Sequence, residues 1–364
     1  MQSLFAFEQC KQADYLLSQD FVDDRFQPDL NSMEVQDKEF LSSQRKAARQ
    51  LFEKKFKKQE TNGDTETINK TVEEALSLYH KNVKRDFTYL KKNMLLEVEN
   101  LNSLYHSVLS LLIAFAEVAE SDKKANHKNF SGNAWIKAFS ENAELKKELL
   151  KGGDWNGRLE KVRGWFKDVI KPDNLFQKFN EEKSPDLETQ RAIIKHIVRK
   201  LILGKSPIHD QYEEDVMRWA EDKDILKSLV DKTIKSFDPI TGKIELQKLS
   251  LDWEDDKDFM QKLFEATVNL DPEHKQLIAR NTRNWEVDRL PLTDLITIEM
   301  AIAELISFPG IPVKVSINEY IELAKEYSTP KSRQFINGIL DVIAKELKSS
   351  GALKKSGRGL IDNK

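Results

Sequence analysis

A single cysteine, Cys10, in 364 residues rules out an internal disulfide framework and any zinc site built from several thiolates. Nothing therefore requires an oxidising compartment, and a cytoplasmic location is expected. Glycine and proline are sparse, at 13 and 10, while 33% of the residues are charged. That balance disfavours a turn-rich β architecture and favours long helices with solvated faces. No run approaches about 18 consecutive apolar residues, and the opening MQSLFAFEQCKQADYLL lacks the basic start and cleavage site of a signal peptide, so neither a membrane span nor export is expected.

The motifs of common chemistries are missing as well. There is no phosphate-cradling GxxxxGK, no GxGxxG after a strand and no GxSxG elbow. The histidines, His80, His106, His127, His196, His209 and His274, include no two at a spacing of three or four, as a metal-binding helix face needs. The acidic run Asp252, Glu254, Asp255, Asp256 and Asp258 lacks the central glycine and closing glutamate of a calcium loop, and reads as the acidic start of a helix. Cys10 has no coupled histidine. The expectation is a chain that is no enzyme, with no cofactor, no metal and no catalytic residue.

What is present is enough apolar material, 39%, to build a core, with a net charge of -3. A protein with that balance attracts phosphate only through a local patch. Helical spacing predicts an uncapped first helix over 2–18 and a second over 35–56, followed by the polar loop KKQETNGDTETINK. A long helix is predicted over 72–120, apolar enough around LLEVENLNSLYHSVLSLLIAFAEVAE to be buried on more than one face. Shorter helices are predicted over 135–150 and 155–170, then one opened by Ser184 and Pro185, then one over 213–235. The turn-rich stretch FDPITGKIELQKLSLDW marks a boundary near residue 248, with helices expected near 255–269, 274–282, 291–308, 316–327 and 330–347. The resulting division is an N-terminal helical region over 1–248, a C-terminal helical domain over 249–350 and a basic tail over 351–364.

Residues 329–364 hold eight basic against three acidic side chains, a local +5 on an acidic chain. Such an end suits phosphate contacts and equally a solvated helix face. Phe335 follows Lys331 by four positions, so one face of the last helix presents a cation and a ring together. Two readings stay open: a ring that stacks on an unpaired base, or a core residue beside Ile339.

The stretch from Asn284 to Asp341 resembles the C-terminal half of NusB proteins. The resemblance rests on Arg289, Leu290 and Asp294 at a helix start, on Ala301 with Glu304 and Leu305, and on a Pro-x-Lys-Val turn at Pro312 to Val315. It continues through INE at Ile317 to Glu319, ELAK at Glu322 to Lys325 and FINGILD at Phe335 to Asp341, while the opening QSLFAFEQ resembles the family's first helix. It implies an all-α fold of NusB-like helical bundles, here with a long helical expansion in the N-terminal half. It further implies a non-catalytic antitermination factor that binds the single-stranded boxA element of RNA together with NusE, a small-subunit ribosomal protein, in the RNA polymerase antitermination complex. By the same resemblance Phe5, Lys331, Ser332, Arg333 and Phe335 face RNA, and Phe5 and Asp294 face the partner.

Physical sense can be made of the matched positions. Pro312 ends one helix, Val313 and Val315 suit an extended link, and Ser316 or Asn318 is expected to cap the next. Thr329, Pro330 and Ser332 give the last helix a strong start, and Gly338 is expected to admit a neighbouring helix. Residues 40–248 carry no family motif and match the enlarged forms of the family. Lys331 stands where the family often has an acid, and the family's basic N-terminal segment does not precede Gln2, as if Met1 were an internal methionine. Two other readings are a protein-only helical scaffold and the NusB-like domain of an rRNA cytosine methyltransferase. The latter enzyme needs a stranded methyl-donor fold and a catalytic cysteine, which Cys10 alone does not supply.

Overall fold

The structure is a computed structural model that describes the chain except residues 32, 34, 60, 124, 125, 205, 283–289 and 364. Arg289 of the matched motif lies outside the described residues. The described chain is all-α: sixteen α-helices with no strand, only a single bridge between Asp238 and Lys243 inside a turn at Gly242. The stretch around residue 240 thus forms a turn, as its composition predicts.

Two compact units emerge, residues 1–95 with 254–364, and residues 96–253. The expected cut near residue 248 falls close to the end of the second unit. A linear division does not express that the first 95 residues fold with the last 111, which is a consequence of shared core.

In the first unit, α1 (Gln2–Arg25) buries Leu4 and Phe7 in a core with α12 (Trp253–Val268), α13 (Pro272–Asn281), α14 (Leu292–Ser307), α15 (Val313–Tyr327) and α16 (Pro330–Ser349). Phe7 meets Phe87 and Phe264 edge-on, with centroids 5.9 and 6.2 Å away. Helix α14 is enclosed on almost every side, from Ile296 to Leu305. A second, smaller core joins Val22 of α1 and Phe26 just after it to Leu51 and Phe52 of α2 (Lys38–Phe56) and to Ile68, Val72 and Ala75 of α3 (Glu66–Ser121).

In the second unit, the later part of α3 is the central helix, with Tyr105, Val108, Leu109, Leu111, Leu112 and Phe115 fully enclosed. The short helices α4 (Lys128–Ser131), α5 (Ala134–Glu141), α6 (Ala143–Leu149), α7 (Leu159–Trp165), α8 (Asn174–Glu181), α9 (Leu187–His196), α10 (Pro207–Asp215) and α11 (Trp219–Lys235) surround it. Two of the buried indoles of this unit are paired: Trp135 Nε1 donates to the Ile234 carbonyl at 2.8 Å and Trp155 Nε1 to that of Ser107 at 3.0 Å. Helices α7 and α9 each widen into a π-helical turn, Phe166–Ile170 and Ile197–Ile202. Helix α3 is long and apolar enough to cross a membrane, and 67% of its most apolar window is buried inside the protein, as in a core helix.

Helix starts follow local chemistry, with some differences from expectation. Asp37, Asn133, Asp173, Asp271 and Thr329 each accept a backbone N–H of the following turn. The helix expected to open at Ser184 and Pro185 instead begins at Leu187, because Asp186 offers a carboxylate to Thr189 N at 2.7 Å. The Ser-Pro start is realised at Ser206 and Pro207, so the single helix expected over 213–235 is two, parted at residues 216–218. Helix α15 begins at Val313 directly after Pro312, and Ser316 is a fully buried helical residue, not a cap. Gly338 admits no neighbour: an added Cβ would meet nothing within 4 Å. The segment expected as a basic tail folds back, with Lys355 Nζ donating to the Phe308 carbonyl at 3.1 Å.

Candidate nucleic-acid interface

The residues singled out by resemblance lie at two chain positions far apart in sequence, the first turns of α1 and of α16. The start of α16 is built by Thr329, whose Oγ1 accepts Ser332 N at 3.1 Å and lies 2.9 Å from Ser332 Oγ. Pro330 occupies the first helical turn, where its missing N–H costs nothing. Ser332 thereby spends its hydroxyl on the cap and is half-buried. Lys331 is exposed and Arg333 half-exposed.

Phe335 is half-buried, packed against the core that holds Ile336, Ile339 and Leu340. The ring is thus partly core, and its partial exposure leaves the stacking reading open. Phe5 lies at the surface of α1, 37% exposed between buried Leu4 and Phe7.

Gln2 ties the first turn of α1 to the end of α15: its Nε2 donates to Tyr327 Oη at 3.2 Å, four residues before Lys331. Met1 Sδ also accepts the Thr297 hydroxyl of α14 at 3.8 Å. Sequence reasoning missed this link, since nothing local pairs Gln2 with a tyrosine so far along the chain. Asp294 is placed in the interior at 2% exposure, where its carboxylate accepts the hydroxyl of Ser328. Beneath, Tyr320 donates to Glu304 Oε2 at 2.7 Å, and burial with the adjoining carboxylate pushes the Tyr320 hydroxyl far above its ordinary range. These interior pairs join α14 to α15 and to the residue that precedes the α16 cap.

The NusB family model matches residues 216–345. A transcription antitermination protein NusB from Chloroherpeton thalassium is 38% identical over 152 residues, 42% of this chain and 68% of that protein. The chain belongs to the NusB family. The NusB of Salinibacter ruber is 43% identical over 103 residues, 28% of this chain and 64% of its own length. That of Natranaerobius thermophilus is 47% identical over 72 residues, 20% of this chain and 52% of its own. No solved structure shows a significant match. Most of this NusB-family chain, including most of its second compact unit, lies outside the matched residues.

Proposed function

We propose that this chain is an RNA-binding transcription antitermination factor that acts without catalysis, holding single-stranded boxA-like RNA together with NusE within the RNA polymerase antitermination complex. The observation that supports this reading is the Gln2 to Tyr327 hydrogen bond, which ties α1, the helix of Phe5, to the end of α15, just before the α16 start that carries Lys331, Ser332, Arg333 and Phe335. Cations that meet phosphate beside rings that stack on bases are the chemistry of single-strand recognition. Phe5 serves both RNA and partner, and Asp294 serves the partner surface through its hold on Ser328.

A chain with net charge -3 has little long-range attraction for RNA, so the basic partner supplies much of the affinity. Fluorescence anisotropy with boxA-like and scrambled RNA, with and without saturating NusE, tests this. Tight, sequence-selective binding only in the presence of NusE is expected. Equal affinity with and without NusE would defeat the heterodimer, and NusE binding without any RNA affinity would favour a protein-only scaffold.

A further inference from the structure

A strongly basic helix and the turn that follows it lie outside the residues matched by the family model. From Lys38 to Lys58 there are eight Lys or Arg and two Glu, a net +6 on an acidic protein. We propose that α2 and the turn after it form a second RNA-binding surface, a track for the phosphate backbone of RNA that continues beyond the boxA-like element. The inference rests on the RNA-binding reading above and adds a site to it.

Charge alone would be a solvated helix face, and basic residues in a last turn favourably offset the helix dipole. Three observations go further. The first is which charges are already used: Arg49 pairs with Asp23 at 3.1 Å and Lys55 with Glu73 at 3.5 Å, while Lys46, Lys54, Lys57 and Lys58 are exposed. The second is a cavity of about 650 Å³, open to solvent, at the C-terminal end of α2, lined by Lys55, Lys58, Gln59, Thr61, Asn62 and Leu76. Five of those side chains donate hydrogen bonds and, among the described lining residues, none carries a carboxylate, which suits an anion.

The third is backbone strain. Gln59 N bonds to the Lys54 carbonyl at 3.0 Å and Lys58 N to that of Lys55 at 2.9 Å, the paired bonds that close a helix through a left-handed residue. That residue is Lys58, at φ 58°, where glycine is the unstrained choice. A lysine held there points to a use for its ammonium. Phe40, 56% exposed on the same helix, adds a ring on which a base can stack. Either a nucleic acid or an acidic peptide could fill the donor-lined cavity, but only a polyanion with bases also uses the exposed ring of Phe40.

The experiment uses the full chain, a short RNA ending at the boxA-like element and a longer RNA that continues past it. Binding is titrated with salt for wild type, for the triple variant Lys54→Gln, Lys57→Gln, Lys58→Gln, and for Lys58→Gly. The triple variant is expected to keep its melting temperature and its short-RNA affinity. On the longer RNA its slope of log affinity against log salt should fall by about 2, at roughly 0.7 for each phosphate no longer neutralised. Lys58→Gly should raise the melting temperature by relieving the strained turn and yet weaken longer-RNA binding, a pair of changes that a purely structural lysine would not produce.

Wild-type affinity and slope on the longer RNA in the triple variant would overturn the inference while leaving the boxA reading intact. Equal loss on both RNAs would overturn a separate track, and loss of polyglutamate binding alone would assign the patch to an acidic protein. If the triple variant loses the longer RNA while wild type shows no boxA preference, the antitermination reading fails and the track stands.

Discussion

The hydroxyl of Ser328 donates to the buried carboxylate of Asp294, tying the residue just after α15 to the first turn of α14. The next residue, Thr329, caps α16, so the start of the helix proposed to face RNA hangs on an interior hydrogen bond. Ser328→Ala leaves a carboxylate oxygen unpaired in the interior and should cost about 1 to 3 kcal/mol of stability. Chemical denaturation measures it. RNA affinity measured well below the unfolding transition should fall as well, because Lys331 and Arg333 lose their fixed position; unchanged stability would mean the pair is not formed in solution.

Phe335→Ala should weaken RNA binding by about 1 to 3 kcal/mol, the range for losing a stacked ring, with helix content preserved. Because the ring is half-buried against the core, some loss of melting temperature accompanies it. Phe335→Leu separates the two, since it retains most apolar packing and no π face. Circular dichroism and anisotropy on both variants decide: RNA loss shared by Leu and Ala is stacking, whereas RNA affinity rescued by Leu is packing.

Two glycines should respond with opposite sign. Gly338 sits within α16 with nothing within 4 Å of an added Cβ, so Gly338→Ala should stabilise by about 0.5 to 1 kcal/mol through helix propensity. At Gly359 a Cβ would stand 2.1 Å from the Pro309 carbonyl oxygen, so Gly359→Ala must push the C-terminal segment away and destabilise. Thermal melts of the two variants measure both effects, and a destabilised Gly338→Ala would show an approach surface missing from the isolated chain.

His106 is buried in the second unit, and desolvation lowers its pKa below the ordinary 6.5, against the opposing pull of Glu148 and Glu144. The folded state therefore binds this proton less readily than the unfolded chain. Its contribution to stability is complete above the ordinary value and is lost as pH falls from 6.5 through the folded pKa. Melting temperature followed across that acid range should drop more steeply for wild type than for His106→Gln. Parallel profiles would mean that His106 stays solvated.

Much was legible in the sequence because it is local. Thr329 and Pro330 announce the start of α16, the apolar run through Leu109 and Phe115 announces a helix enclosed on all sides, and the motifs from Leu290 to Asp341 announce the family. Caps and periodicity act within a few residues, so the chain specifies them without reference to its fold. Even there, competing local signals misled: Asp186 took the cap from Ser184 because a carboxylate two residues on was better placed.

Tertiary structure alone decided the rest, because it depends on what lies across space. Whether Asp294 faces a partner or the interior turns on Ser328, 34 positions away, and whether Gly338 meets a neighbour turns on helices it never touches. The joining of Gln2 to Tyr327 across 325 positions follows from Leu4 and Phe7 burying themselves among the C-terminal helices. Burying apolar area is non-directional and pays no regard to chain order. The sequence therefore determined the helices and the chemical character of their faces, and only their packing determined which faces remained at the surface.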